Sequence, residues 1–253
     1  MQSTPTIAVP NQGLKHALGQ PKVLSDRIAV VGDSLVYGFG DPIGGGWVER
    51  LRRQFLVPGA DRYVFYNLGV RGDGVKQVAM RLEDEFRCRG ELRNRVPDLL
   101  VLSVGVNDSP RLGRPDGRNF LAIDAFKIEM AELLDRAVNL CPTVFVGSVP
   151  VDESKMPFLD CLYYNHGDQY RYKEVTRSIC ELKNIPYLDL FDLWRSRGAD
   201  WCNARLSGDG LHPNSLGYET MVQDILDWEE MDARGLSLGR SAASLGQLLD
   251  PCL

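Results

Sequence analysis

The stretch Ile28-Ala29-Val30-Val31-Gly32-Asp33-Ser34 decides how the rest of this sequence is interpreted. Four consecutive apolar residues that end at a glycine are typical of a buried strand running into a turn. The turn places a serine, Ser34, just past the end of the strand. Taken alone, the segment leaves two roles open for Ser34: a nucleophile whose own backbone N–H faces a developing oxyanion, or the cap of a helix.

Four more apolar runs follow, and each is separated from the next by a segment with helical spacing of its apolar residues. The runs cover residues 63–68, 99–104, 143–149 and 186–190. The helical faces carry Trp47, Leu51 and Phe55; Val75, Ala79, Leu82 and Phe86; Phe126, Met130, Leu133 and Ala137; Tyr172, Val175, Ile179 and Leu182; and, in the final helix, Met221, Ile225 and Trp228. Strands that alternate with helices require right-handed crossovers and a sheet covered on both faces. We therefore predict a three-layer α/β/α sandwich around a five-stranded parallel sheet, with these aromatic and Met side chains in the core.

Length and composition set the broad class. A chain of 253 residues with 44% hydrophobic and 25% charged residues is ordinary for a globular protein. We expect a domain over residues 27–230, a poorly ordered leader over 1–26, and a C-terminal tail over 231–253 that either packs as a short helix or stays loose. The net charge of -5 lacks the basic excess of nucleic-acid-binding proteins. No membrane span or signal peptide is predicted, so the expected location is cytoplasmic and the expected partner is a small molecule.

The cysteines and the glycines that follow Ser34 favour no other chemistry. Six cysteines are scattered along the chain without a C-x-x-C pair, and we interpret them as free thiols; none sits at a glycine-flanked strand end, as a nucleophile would. Gly38, Gly40 and Gly44 to Gly46 follow Ser34, but not in the register of a nucleotide phosphate loop.

One histidine has a carboxylate at a spacing that can orient it. The chain has three histidines, His16, His166 and His212, and only the last lies in an Asp-x-x-His turn, Asp209-Gly210-Leu211-His212. Asp209 can accept from the imidazole Nδ1–H, which leaves Nε2 free to take a proton from a serine. A metal site is not expected, because no second His or Cys lies nearby at ligand spacing. The spacing predicts that His212 is a general base.

Two further strand ends offer hydrogen-bond donors. Gly72 follows the second strand and can present a bare backbone N–H at close range, and Asn107 follows the third and can present its side-chain amide. Each is, taken alone, also a common signal for a turn between a strand and a helix.

These blocks together resemble the SGNH hydrolase, or GDSL esterase and lipase, family. Gly32-Asp33-Ser34-Leu35, Gly72, Gly105-Val106-Asn107-Asp108 and Asp209-Gly210-Leu211-His212-Pro213 match the family's blocks in chain order, within residues 28 to about 226. The resemblance implies a flavodoxin-like sheet of order 2-1-3-4-5, a catalytic triad of Ser34, His212 and Asp209, an oxyanion hole from Ser34 N, Gly72 N and the Asn107 amide, and no metal or organic cofactor. Gly74 stands where many members carry Thr or Ser, which predicts a looser turn.

The expected function is hydrolysis of a carboxylic ester through an acyl-enzyme. Two alternatives remain at this level: an acyltransferase with the same site, and a non-catalytic binding protein of the same fold. Residues 109–119 and 151–167 follow strand ends and either select the substrate or serve as solvated connectors. Likewise, Arg71, Arg111, Arg114 and Arg118 either attract an anionic substrate or are simply solvated.

Overall fold

The computed structural model describes residues 26–56, 63–89 and 95–233. Of the predicted leader it includes only Asp26, and of the predicted tail only residues 231–233. His16 and Cys252 lie outside the described residues.

Strands and helices alternate along the described ranges. The strands are β1 (Asp26–Gly32), β2 (Tyr63–Gly69), β3 (Leu99–Ser103), β4 (Arg111–Leu112), β5 (Thr143–Val146), β6 (Leu162–Tyr163) and β7 (Tyr187–Leu188). The α-helices are α1 (Ser34–Tyr37), α2 (Gly46–Gln54), α3 (Val75–Arg87), α4 (Ile123–Leu140), α5 (His166–Leu182), α6 (Leu190–Ser196), α7 (Ala199–Asn203), α8 (Ser215–Leu226) and α9 (Glu229–Ala233). Among the helices of these ranges, none is long and apolar enough to cross a membrane.

The main sheet has five parallel strands in the order β2-β1-β3-β5-β7. Counted along this sheet alone, the order is 2-1-3-4-5, which confirms the predicted flavodoxin-like arrangement. The order reverses beside β1, since the chain moves first to one side of this strand and then to the other. Ligands of such sheets bind beyond the carboxyl ends of the strands at this reversal, and Ser34 lies there.

Alternate residues of each central strand face opposite layers of helices, as the two-residue period of a strand requires. Ile28 and Val30 pack in a core with side chains of α2 and α8. Ala29 and Val31 pack in a second core with side chains of α3, α4 and α5. All four are buried because the sheet is covered on both faces. The predicted three-layer sandwich is confirmed.

Some element ends differ from the prediction. The run 143–149 forms a strand only to Val146, because its partner β7 supplies two residues before Asp189 caps helix α6. The run 99–104 ends as a strand at Ser103. Trp228 lies two residues beyond the end of α8 rather than within it, although its ring still packs against the core.

The two interrupting segments pair with each other. Strand β4, from residues 109–119, is antiparallel to β6, from residues 151–167, with Arg111 opposite Tyr163 and Leu112 opposite Leu162. This pairing orders both segments, and the choice between substrate selection and a connecting role stays a prediction. Each holds the other in place beside the carboxyl end of the main sheet.

Candidate active site

Ser34 is the first residue of helix α1, immediately after the turn that ends β1. Gly32 is required in this turn, because a Cβ there would lie 2.0 Å from the Ser103 carbonyl oxygen. The side chain that caps the helix belongs to Asp33, whose Oδ1 accepts from Leu35 N at 2.9 Å. Ser34 is thus not the helix cap, which was one of the two roles open for it. Its backbone N–H, in the first turn, has no partner within the helix.

His212 connects Ser34 to Asp209 through its two ring nitrogens. The Nε2 atom lies 2.8 Å from Ser34 Oγ, and the Nδ1 atom lies 2.7 Å from Asp209 Oδ2. Ser34 and His212 are both only 4% exposed, so the contact between them is shielded from bulk water. The structure brings together all three residues that the sequence selected.

The turn that precedes His212 fixes the Asp209 carboxylate. Asp209 Oδ1 accepts from Leu211 N at 2.9 Å and from His212 N at 3.0 Å. Burial raises the pKa of Asp209, but the hydrogen bonds from His212 and Leu211 lower it by more than burial raises it. The pKa of Asp209 is therefore below its usual value. The carboxylate is therefore ionised at neutral pH, and Nδ1 of the imidazole carries the proton that it accepts.

Two phenylalanine rings pack on the imidazole of His212. The Phe39 ring meets it edge-on with 4.6 Å between ring centres, and the Phe158 ring does so at 5.8 Å. Both rings are half-buried. They restrict rotation of the imidazole and form apolar walls beside Ser34 Oγ.

Asn107 lies in a short 3-10 helix, Val106–Asp108, that follows β3. Its Nδ2 donates one hydrogen bond to the Asp73 carbonyl oxygen at 2.9 Å, and its Oδ1 accepts from Tyr164 Oη at 3.3 Å. Because an amide nitrogen carries two N–H groups, the second N–H remains available. The orientation of the amide is thus set from both ends.

Gly72 lies in the turn after β2 with a φ of 83°. This left-handed conformation is readily adopted only by glycine. Its backbone N–H has no acceptor among the described residues, which leaves it free to donate to a ligand. Gly72 and Asn107 are held close together, since the Asn107 amide binds the carbonyl of Asp73, the residue after Gly72.

Tyr164 is the site residue that the sequence gave no reason to select. It is 3% exposed, and burial, with the charges of nearby carboxyl groups, raises the pKa of its phenol well above the usual value. The phenol therefore stays protonated and remains a donor to Asn107. Its partner is 57 residues away in the chain, and Tyr164 follows directly on strand β6. No local motif indicates such a contact.

Two buried carboxyl groups lie beside the site. Burial raises the pKa of Asp33 to about 7, against the hydrogen bond from Leu35, and the nearby Asp108 carboxyl adds to the rise. Burial likewise raises the pKa of Asp108 to about 7, although its Oδ2 accepts from Val75 N at 3.0 Å. Asp33 directly precedes Ser34, and Asp108 directly follows Asn107. Two carboxyl groups next to site residues therefore take up protons near neutral pH.

Gly74 packs closely against Asp108, and the expectation of a looser turn stays a prediction. A Cβ at this position would lie 2.5 Å from Asp108 Oδ1, so the glycine makes room for the buried carboxyl group. Its N–H donates to Gln77 Oε1 at 3.1 Å. A hydroxyl-bearing side chain at this position would require the Asp108 carboxyl group to shift.

The four arginines proposed to attract an anion have different surroundings. Arg111 pairs with the buried Asp168 at 2.6 Å, and Arg114 pairs with Asp116 at 3.1 Å. Arg118 is exposed. The Arg71 guanidinium lies 3.8 Å above the centre of the Phe39 ring, the ring that packs on His212.

The remaining histidine and the cysteines of the described residues take no part in this site. His166 Nε2 lies 2.7 Å from the Val151 carbonyl oxygen, and its Nδ1 lies 3.3 Å from Glu153 Oε2. Cys88, Cys141, Cys161, Cys180 and Cys202 are free thiols. Burial raises the pKa of Cys180 to about 12, so this thiol stays protonated and unreactive.

The described residues contain one acidic cluster with metal-ligand spacing, formed by Glu174, Asp189 and Asp192. The ammonium group of Lys173 already binds all three, at 3.1 Å from Glu174 and 2.5 Å from Asp189. A side-chain cation thus occupies the position that a metal ion would take.

Comparisons with known proteins identify a family and a set of similar folds. A family model described as the GDSL-like lipase/acylhydrolase family matches residues 30–220. Among solved structures, a lipase/acylhydrolase from Enterococcus faecalis is similar with a TM-score of 0.63 and 20% identity, over 83% of this chain and 96% of that one. A psychrotrophic esterase from Pseudoalteromonas sp. has a TM-score of 0.60 and 16% identity, over 83% and 100% of the two chains. A catalytic mutant of an acetylxylan esterase from Geobacillus stearothermophilus has a TM-score of 0.59 and 15% identity, over 81% and 94%. A search of curated proteins gives no match.

Proposed function

Because the chain belongs to the GDSL-like lipase/acylhydrolase family, we propose that it is a serine ester hydrolase with Ser34 as nucleophile, His212 as general base and Asp209 as its orienting carboxylate. The observation that carries the proposal is the continuous chain of contacts, 2.8 Å from Ser34 Oγ to His212 Nε2 and 2.7 Å from Nδ1 to Asp209. A serine hydroxyl is a poor nucleophile until a base at hydrogen-bond distance takes its proton.

In the first half of the reaction, Ser34 Oγ attacks the ester carbonyl carbon as its proton passes to His212 Nε2. The carbonyl oxygen becomes an oxyanion, for which the donors are Ser34 N, Gly72 N and the free N–H of Asn107 Nδ2. When the bond from carbon to the alcohol oxygen breaks, His212 gives its proton to that oxygen. The alcohol leaves, and the acyl group remains on Ser34.

In the second half, water takes the place of the alcohol. His212 accepts a proton from this water, whose oxygen attacks the acyl carbon and forms a second oxyanion in the same hole. Collapse breaks the bond to Ser34 Oγ, which recovers its proton from His212, and the carboxylic acid is released. Asp209 stays ionised throughout and stabilises the imidazolium that forms in each half.

The test is hydrolysis of a short-chain p-nitrophenyl ester by Ser34→Ala. We expect turnover to fall to background while circular dichroism and thermal unfolding stay like those of the wild type. Ser196→Ala is the matched control, because Ser196 is exposed and, within the described part of the chain, its hydroxyl bonds only to Leu193 O on α6. A fluorophosphonate should label the wild type once per chain and the variant not at all. Undiminished turnover by Ser34→Ala would falsify the assignment.

Asp209→Asn tests the orienting role separately. An amide cannot hold the imidazole in the required tautomer, and the equivalent change in a serine protease lowers kcat about 10⁴-fold. We expect a loss of a similar order here, with little change in KM. Product analysis with an added alcohol then distinguishes hydrolysis from acyl transfer, since a transferase would form a new ester.

A further inference from the structure

Arg71 has a defined place beside the proposed general base. Its guanidinium carbon lies 3.8 Å from the centre of the Phe39 ring, and that ring lies 4.6 Å from the His212 ring. Arg71 also immediately precedes Gly72, the proposed oxyanion donor. Arg71 is thus connected to the proposed base through the Phe39 ring and to the proposed oxyanion donor through the backbone.

The charge of Arg71 is not neutralised by a carboxylate of the described residues. It is exposed and forms no ion pair there, unlike Arg111 and Arg114. The nearest carboxylate in sequence, Asp73, pairs with Arg81 at 2.8 Å, and the carboxylate of the proposed triad, Asp209, binds His212. In a chain of net charge -5, the guanidinium of Arg71 is thus left without a carboxylate partner among the described residues.

The position of Arg71 relative to His212 indicates which half of the ester it meets. Within the proposed reaction, His212 gives its proton to the departing alcohol oxygen. The alcohol half therefore lies against the imidazole, whose neighbours are the Phe158 ring and the Phe39 ring that carries the Arg71 guanidinium. The acyl carbon instead remains bonded to Ser34.

We propose that Arg71 binds an anionic group, such as a phosphate, sulfate or carboxylate, on the alcohol half of the ester. This inference rests on the proposed esterase function and adds the substrate class to it. A guanidinium stacked on a ring keeps its N–H groups in its own plane, where they can donate two parallel hydrogen bonds to such an anion. The stacking also reduces the conformational entropy lost on binding.

Three butyrate esters whose alcohol halves have the same two-carbon spacer and a tetrahedral end group of different charge test this inference. Their alcohols are 2-hydroxyethanesulfonate, which is anionic, 3,3-dimethylbutanol, which is neutral, and choline, which is cationic. Acid release measured by titration gives kcat/KM for each ester. We expect the wild type to prefer the anionic ester, and Arg71→Gln to lower the ratio of anionic to neutral kcat/KM about 3- to 10-fold.

Two controls separate a local contact from a general charge effect. Arg53→Gln removes the same charge from an exposed position on α2 that has no ion pair among the described residues, and it should leave the ratio unchanged. Monomethyl glutarate and methyl butyrate differ by a negative charge on the acyl half, and Arg71→Gln should not change the ratio between them.

Each remaining outcome counts against the inference. A wild type without preference for the anionic ester, an equal loss with Arg53→Gln, or a loss confined to the acyl-charged ester would overturn the assignment of Arg71 while leaving the esterase proposal intact. If none of these esters is hydrolysed although the p-nitrophenyl ester is, the assignment of Arg71 is wrong; if Ser34-dependent hydrolysis is absent for the p-nitrophenyl ester as well, both proposals are wrong.

Discussion

Removing the phenol hydroxyl of Tyr164 should slow the reaction without weakening substrate binding. The hydroxyl donates to Asn107 Oδ1 at 3.3 Å and so helps hold the amide whose other end faces the proposed oxyanion. A neutral hydrogen bond contributes about 0.5–1.5 kcal/mol, and this one is long. If its contribution is realised in the transition state, Tyr164→Phe lowers kcat by about 2- to 13-fold. The loss must stay below the roughly 10²- to 10³-fold expected for removal of an oxyanion donor by Asn107→Ala.

The assay is steady-state hydrolysis of a p-nitrophenyl ester by the two single variants and the double variant. If Tyr164 acts through Asn107, adding Tyr164→Phe to Asn107→Ala should change kcat less than about twofold. KM should stay near the wild-type value in Tyr164→Phe, because the amide contacts the oxygen only when negative charge develops. Tyr170→Phe is the matched control, since Tyr170 lies on α5 with its side chain 49% exposed.

Two results would refute this reasoning. One is a kcat for Tyr164→Phe equal to that of the wild type. The other is the same loss whether or not Asn107 is present, which would mean that the tyrosine acts through general stability or another contact. Urea unfolding of each variant distinguishes these cases, because a merely structural effect lowers the free energy of unfolding without being confined to kcat.

Three predictions concern stability. Gly74→Ala should lower the free energy of unfolding by about 1–3 kcal/mol, because the added Cβ would overlap Asp108. The control is Gly208→Ala, whose Cβ meets no atom within 4 Å. This variant should leave the free energy of unfolding nearly unchanged in the same urea titration. Since burial raises the pKa of Asp33 to about 7, its neutral form contributes stability that is complete below about pH 4 and is lost as the pH rises through 7. Asp33→Asn keeps an acceptor for the helix cap and should remove the part of this pH dependence that comes from Asp33, leaving the part from Asp108 and raising stability at alkaline pH by up to about 4 kcal/mol. An unchanged pH profile would contradict the burial argument. For Asp168, burial raises the pKa, but the hydrogen bonds from two arginines bring it down to about 2. Its charge therefore stabilises the fold above about pH 4, and this contribution is lost as the pH falls through 2. Asp168→Asn should lower the free energy of unfolding by roughly 2 kcal/mol near neutral pH. Equal stability of the two proteins would show that the ion pairs of Asp168 contribute little.

The main sheet could be predicted because its strands have a strong pattern of burial. Ile28 to Val31 are apolar without interruption, as a strand covered on both faces must be, and the helices between strands place apolar residues at helical spacing. Strands β4 and β6 could not be predicted in this way. Each has two residues, which is too short for any period, and their pairing depends on segments about 50 residues apart.

The same distinction between local and distant contacts applies to the site. Asp209 and His212 are three residues apart on one turn, so their spacing alone indicates their contact. Ser34 was ambiguous, because a serine and an aspartate beside a helix start are both good caps and only the backbone geometry assigns that role to Asp33. Two other contacts could not be predicted: the hydrogen bond from Tyr164 to Asn107 and the stacking of Arg71 on Phe39. In both, the residue types are common and their spacing in the sequence matches no motif.

Residues 151–167 contact both the proposed general base and a proposed oxyanion donor. The Phe158 ring packs on His212, and Asp152 N donates to the Gly210 carbonyl oxygen at 2.7 Å, in the turn that presents that histidine. Tyr164, in the same segment, binds Asn107. A displacement of this segment would therefore move the general base and the oxyanion donor together. Because both act in the transition state, such a displacement should appear in kcat, whereas a segment that only contacted substrate would change KM and specificity.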